Sequence, residues 1–92
     1  MDLESIRQEI DQIDDQIVQL LEERMNKVGQ VVACKRSSGK AVLDSKREEA
    51  IFQKVAQRVT NKNYEETIVA TFSDILKQSR AYQDKHLSDR NR

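Results

Sequence analysis

Apolar residues recur along the first third of the chain at Leu3, Ile6, Ile10, Ile13, Ile17, Leu20 and Leu21, then at Val28, Val31 and Val32. The steps alternate between three and four residues, the spacing of an α-helix with one apolar stripe. Leu3 to Arg36 contains no proline and a single glycine, Gly29, so the pattern predicts one unbroken helix over residues 3–36. Asp2 is its expected N-cap, with Glu4 favourable against the helix dipole, and Ser37-Ser38-Gly39 its expected stop. Glu9, Asp15, Glu22 and Lys27 fall on the side expected to face solvent. A second segment carries Ile51, Phe52, Val55 and Val59 at helical spacing and predicts a helix over 45–60. It opens at Asp44 or Ser45, and Ser45-Lys46-Arg47-Glu48 has the form of a capping box, with Glu48 reaching back to the Ser45 amide. A third helix is expected over 64–84, entered through Asn63-Tyr64-Glu65-Glu66, with Ile68, Phe72, Ile75, Leu76, Ser79, Tyr82 and Gln83 at the 3.6-residue period. Residues 85–92 are expected to fray.

Length changes the picture. A helix over 3–36 is a rod of roughly 50 Å, whereas a compact chain of 92 residues has a radius of gyration near 12 Å and is about 30 Å across. The rod overshoots its own globule, and its stripe calls for a second chain. The expected fold is therefore all-α. Each chain, a single domain over 1–92, contributes one long and two shorter helices to an intertwined homodimeric bundle.

Charge and composition narrow the function. Sixteen basic and 16 acidic residues balance to a formal net charge of zero, which argues against a nucleic-acid or anionic-membrane surface. The longest apolar run is far short of a membrane span, and no signal-peptide pattern opens the chain. The single cysteine, Cys34, excludes an intrachain disulfide and fits a reducing cytoplasm. His86 is the only histidine, so no metal-ligand cluster is expected, and its place near the tail suggests a solvated side chain.

Three cations interrupt or flank the long stripe: Arg7, Arg24 and Lys35. Arg24 and Lys35 are separated by roughly 1100° of helical rotation, about 20° from three whole turns, and by roughly 16 Å along the axis. They share a face and can lean toward one small anion between them. Arg7 lies roughly 100° around and about 25 Å away from Arg24, within reach of that pocket only from the second chain of an antiparallel dimer. Two or three converging cations suggest a small dicarboxylate. Spacing alone leaves the alternative open that these cations simply cover apolar surface with their charges in water. By the same token Ser79 and Gln83 suit core hydrogen bonding, Glu48 a helix cap and Arg47 a surface charge. The chain lacks a nucleophile–base arrangement and a glycine-rich phosphate loop, so an enzyme built on this set would act by positioning and fixed charge.

Taken together, Leu3-x-x-Ile6-Arg7, Leu20-Leu21-x-x-Arg24, Val28 through Lys35, Val42-Leu43-Asp44-x-x-Arg47-Glu48 and Ser79-x-x-x-Gln83 resemble the all-helical chorismate mutases over about residues 3–84. The resemblance implies conversion of chorismate to prephenate by an intramolecular Claisen rearrangement, in phenylalanine and tyrosine biosynthesis, without a cofactor. It implies that Arg24, with Arg7 of the second chain, grips the two carboxylates. Lys35 would contact a carboxylate and the ether oxygen, and Gln83 would donate to that oxygen. Glu48, helped by Asp44, would hold the ring hydroxyl, with Ser79 on a carboxylate and Arg47 lining the pocket. A stand-alone form is expected, and docking onto a regulatory partner enzyme is left open. Two other functions share these features: an isochorismate–pyruvate lyase, disfavoured by the acid at Glu48, and a non-catalytic helical dimerisation module.

Overall fold

The computed structural model describes residues 1–88. Helix α1 spans Leu3–Ser38, α2 spans Ser45–Arg58, a 3₁₀ turn covers Lys62–Tyr64, and α3 spans Glu65–Ser88. The described residues are all-helical, with no strand.

α1 starts where Asp2, in extended conformation, accepts the amide of Glu4 at 3.3 Å and the hydroxyl of Ser5 at 3.2 Å. The first of these bonds satisfies one of the amides that the first helical turn leaves unpaired. The helix runs two residues past the expected Arg36 because Gly39 takes φ 71° and donates its amide to the Lys35 carbonyl at 2.8 Å. Lys35 and Arg36 occupy the last turn, where cations oppose the dipole favourably. No atom lies within 4 Å of where a Cβ on Gly39 would sit. The cost of Gly39→Ala is therefore conformational, about 1 kcal/mol for a left-handed non-glycine residue. Thermal unfolding followed by circular dichroism is expected to show a melting temperature lower by about 4–8 °C; an unchanged value would contradict the capping role.

α2 opens at the first of its two expected caps, but without the expected capping box. Asp44 is the N-cap and accepts the Arg47 amide at 3.0 Å. Glu48 does not fold back on the Ser45 amide, because its carboxylate is engaged by Arg80 of α3. A cap from Asp44 leaves Glu48 free to make that long-range ion pair. α2 stops at Arg58 rather than residue 60, as the β-branched Val59 turns extended at φ −69°, ψ 118°. The next cap is Asn61, which accepts the Asn63 amide at 3.1 Å, so a 3₁₀ turn over Lys62–Tyr64 stands where the third helix was expected to begin from Asn63. Lys62 closes the corner by donating to the Ala56 carbonyl at 2.7 Å and pairing with Glu65 at 3.1 Å.

α3 continues to Ser88, so residues 85–88 are helical rather than frayed; residues 89–92 lie outside the described residues. Arg36 donates to the His86 carbonyl at 2.6 Å, tying this end of α3 to the end of α1. His86 is half-buried rather than solvated. Its ring stacks on Tyr82 with centroids 3.9 Å apart, and its Nδ1 meets the Tyr82 carbonyl at 2.9 Å. A carbonyl only accepts, which places a proton on Nδ1.

α3 packs against both other helices. The pairs Lys35–Gln83 and Arg36–His86 advance together, so the C-terminal half of α1 runs parallel to α3. α2 runs antiparallel to α3, with early Glu48 meeting late Arg80. The core of this one chain is small: Val28, Val32 and Leu76 are buried, with Ser79 and Gln83 beside them. Among the described residues, the first half of α1 is exposed along almost its whole length, with only Ile6 half-buried. Leu3, Ile10, Ile13, Ile17 and Leu20 are 46–62% exposed. The principal extents are 55 × 26 × 15 Å and the radius of gyration is 16.5 Å, against about 12 Å for a compact chain of this length. No helix among the described residues is long and apolar enough to cross a membrane.

Candidate active site

A cavity of about 460 Å³ opens between the C-terminal half of α1, the start of α2 and the last turns of α3. Arg24, Lys35, Asp44, Arg47, Glu48, Ser79 and Gln83 all line it. The structure thus brings together every candidate except Arg7. Arg7 is exposed, on the first half of α1, and seventeen residues of helix separate it from Arg24 by about 25 Å.

α1 supplies the cavity wall through Arg24, Lys27, Val28, Val31 and Lys35. These positions follow the steps i, i+3, i+4, i+7 and i+11, one continuous helical face. Lys27, expected to face only solvent, is exposed yet sits at the cavity rim. α3 supplies Leu76, Ser79, Arg80 and Gln83, again i, i+3, i+4 and i+7. Arg80 is a site residue absent from the sequence-based set. That spacing is the signal that marks it, since an i+4 neighbour of a core leucine shares its face. The loop between α1 and α2 contributes the Val42 carbonyl, which Lys35 reaches.

One side of the site is a hydrogen-bonded chain. Lys35 Nζ donates to the Val42 carbonyl at 2.7 Å and to Gln83 Oε1 at 2.9 Å. Gln83 Nε2 donates to Ser79 Oγ at 3.1 Å. An ammonium has three protons and no lone pair, so the Gln83 amide must turn its oxygen toward Lys35 and its nitrogen away. Lys35 keeps one unused proton, and so does the Gln83 amide nitrogen. Ser79 keeps its own hydroxyl proton, because its oxygen is here the acceptor. Each residue therefore holds one hydrogen-bond donor in reserve. Among the described residues, no buried side-chain polar atom lacks a partner.

The opposite wall is electrostatic. Arg80 Nη1 contacts both Glu48 oxygens, at 2.5 and 2.6 Å. The pair is partly shielded, with the Arg80 side chain 32% and the Glu48 side chain 19% exposed. The lining holds five cationic side chains, Arg24, Lys27, Lys35, Arg47 and Arg80, against two carboxylates, Asp44 and Glu48. With Glu48 paired to Arg80 and Asp44 capping α2, the remaining charge is strongly positive, suited to a small polyanion.

Comparison with known proteins agrees with this chemistry. The family model described as chorismate mutase type II matches residues 6–84. A chorismate mutase of Methanocaldococcus jannaschii is 28% identical over 88 residues, spanning 95% of this chain and 89% of that protein. No solved structure matches. With the family match extending over all three helices and every residue of the cavity, the chain belongs to the chorismate mutase type II family.

Proposed function

We propose that the cavity between α1, α2 and α3 is where the chain rearranges chorismate to prephenate, with residues 1–92 acting as one catalytic domain. The observation that carries this assignment is the Lys35–Gln83–Ser79 chain, which lines the same cavity as Arg24 and ends in unused donors. Arg24, with Arg7 of a second chain, clamps the two carboxylates, Lys35 and Ser79 assist, and Arg47 lines the pocket. This selects the compact chair in which the two carbons to be joined lie close together. As the ether C–O bond breaks and the new C–C bond forms, negative charge grows on the ether oxygen. The unused protons of Lys35 and Gln83 stabilise it. Glu48, with Asp44 nearby, accepts the ring hydroxyl. Nothing enters or leaves, so no proton transfer is needed. A millionfold acceleration amounts to about 8 kcal/mol, and donors of this kind supply about 3–4 kcal/mol each. Two of them together with conformer selection are sufficient.

Incubating the purified protein with chorismate tests the assignment. Loss of chorismate absorbance, with a product that acid converts to phenylpyruvate, is the expected result. Release of pyruvate from isochorismate, with chorismate untouched, would replace the mutase with a lyase.

The functional unit is proposed to be an intertwined homodimer. A groove of about 740 Å³ continues from the cavity, sharing Arg24, Arg47 and Ile51 with it. Its floor is apolar, with Val55, Ile68 and Phe72, and its rim adds the cations Lys54 and Arg58. The exposed half of α1 has the complementary character: an apolar stripe flanked by Glu4, Glu9, Asp11, Asp14 and Asp15, with Arg7 as its single cation before Arg24. Seated in the groove of a second copy, this segment brings Arg7 toward the cavity mouth. Light scattering on the native protein is expected to give twice the 10.7 kDa chain mass. Ile13→Asp and Ile17→Asp together are expected to abolish both the dimer and turnover. A fully active monomer would contradict the arrangement. An exposed free thiol at Cys34 fits a reducing compartment, and the cytoplasm is proposed as the site of action. A regulatory partner enzyme remains compatible with this arrangement.

A further inference from the structure

Arg80 is the one cation of the cavity whose guanidinium is committed to a carboxylate of the same cavity. Its Nη1 sits between the two Glu48 oxygens, at 2.5 and 2.6 Å. Both residues line the space assigned to substrate, and both are shielded enough for their charges to matter. The contact joins α2 to α3 across 32 positions of sequence.

Two consequences follow from this geometry. A carboxylate offers about four lone-pair directions over its two oxygens. One nitrogen seated between the oxygens occupies the inner directions and leaves the outer ones for a further donor. Glu48 is thereby held in one rotamer with acceptor capacity to spare. The second consequence concerns charge. An unpaired Glu48 would present a full negative charge to a dicarboxylate ligand in a pocket of about 460 Å³, and at such separations like charges repel substantially. Arg80 cancels that charge without removing the acceptor.

We infer that Arg80 is a positioning residue for the reaction: by pairing with Glu48 it fixes the carboxylate that accepts the substrate's ring hydroxyl and screens that carboxylate from the substrate's own. The inference rests on the assignment of Glu48 to the hydroxyl made above. Arg80 acts through Glu48 and touches no reacting atom. Loss of Arg80 should therefore weaken recognition of the hydroxyl specifically, along with overall affinity for the dianion. The Lys35–Gln83 donors, bonded to each other and to Ser79 rather than to the Arg80–Glu48 pair, should keep their effect on the bond-breaking step. KM should carry more of the loss than kcat.

The test uses the full-length protein and two probes, bicyclic ether dicarboxylates that mimic the rearranging chair with and without the hydroxyl. Their dissociation constants are measured for the unaltered protein, Arg80→Met, Arg80→Lys, Glu48→Gln and the double variant Arg80→Met/Glu48→Gln. The unaltered protein should prefer the hydroxylated probe, and Arg80→Met should lose about 10- to 100-fold of that preference, the range of a hydrogen bond to a charged group. Arg80→Lys should recover most of it. The double variant should be no worse than Glu48→Gln, because both substitutions remove one device. Should Arg80→Met fail to fold by circular dichroism, Arg80→Gln takes its place, with the same loss of preference expected. Full preference in the Arg80 variants, together with its loss in Glu48→Gln, would overturn the role of Arg80 and leave that of Glu48 standing. Full preference in Glu48→Gln would overturn the Glu48 assignment and the inference with it.

Discussion

Lys35→Ala is expected to lower kcat by about 10³-fold while the protein remains helical and dimeric. The size follows from what the ammonium does at the site. It is the only full charge in the donor chain Lys35–Gln83–Ser79, and in the proposed mechanism its unused proton meets the growing negative charge. Removing one preorganised donor from such a position costs about 2.7–4 kcal/mol. The substitution also removes the donor to the Gln83 amide oxygen, leaving that side chain held through its nitrogen on Ser79. It leaves the Val42 carbonyl without its 2.7 Å partner and loosens the loop before α2. The fold is expected to survive, because Lys35 is only half-buried and water can replace each lost bond at about 1 kcal/mol. Lys35→Arg should rescue poorly. A planar guanidinium keeps the charge but cannot reproduce three donors radiating from one atom. Stopped assays with chorismate, alongside circular dichroism and light scattering, read all three outcomes. Near-normal turnover in Lys35→Ala would remove the central donor from the mechanism.

Gln83 is the second large effect, and it carries a pH signature. Gln83→Ala should cost a similar factor, about 10²–10³ in kcat, for the same reason. Gln83→Glu separates donation from shape. Once ionised, the introduced carboxyl has no proton to give, and it sits where Lys35 Nζ lies 2.9 Å from the present oxygen. It would pair with Lys35, occupying the other donor and placing negative charge beside the ether oxygen. Protonated, the carboxyl regains an O–H donor of nearly the same shape as the amide. The sign is therefore fixed: activity of Gln83→Glu should be low at neutral and alkaline pH and rise as pH falls through the ionisation of that carboxyl. Stability should be monitored over the same range, so that unfolding is not mistaken for inactivation. A rate for Gln83→Glu that does not respond to pH would mean that the amide contributes shape alone.

What was legible in the sequence divides along a physical line. Arg24 and Lys35 share a face because eleven residues nearly complete three turns, and Ser79 and Gln83 share one because four residues nearly complete one. Such intrahelical geometry is set by the backbone, and both pairs line one cavity. The resemblance to the helical chorismate mutases, drawn from those spacings in order, is borne out by the family match over residues 6–84. Contacts between helices were not legible. Ser45 to Glu48 satisfies the local pattern of a capping box, yet Glu48 pairs with Arg80, and Asp44 takes the cap. A charge-assisted contact across the cavity outweighs a local bond that a neighbour can supply equally well. Arg80 escaped notice for the same reason, since its partner lies on another helix. The helical order of residues 85–88 depends on Arg36 reaching His86 from α1, again a tertiary contact that composition near a terminus does not reveal. Likewise Asn61, rather than Asn63, closes the corner before α3, a choice between two equivalent residues made by the 3₁₀ geometry.

The exposed half of α1 links fold to function. A stripe of leucine and isoleucine left 46–62% exposed along it, rimmed by charged residues, has the character of an interaction surface. Its acidic flanks match the basic rim of the groove beside the cavity. On this account the same burial that stabilises the dimer completes the site, because the segment that covers the groove also carries Arg7.

The most direct measurement of the whole arrangement is complementation between two disabled chains. Arg7→Ala and Lys35→Ala proteins, each nearly inactive, are unfolded together and refolded as an equal mixture. If Arg7 serves the pocket of the other chain, every mixed dimer contains one pocket with both residues intact and one with neither. Random pairing makes half of the dimers mixed, so turnover should recover to about a quarter of that of the unaltered protein. A mixture no more active than its two components would mean that the pocket is not assembled from two chains in this way.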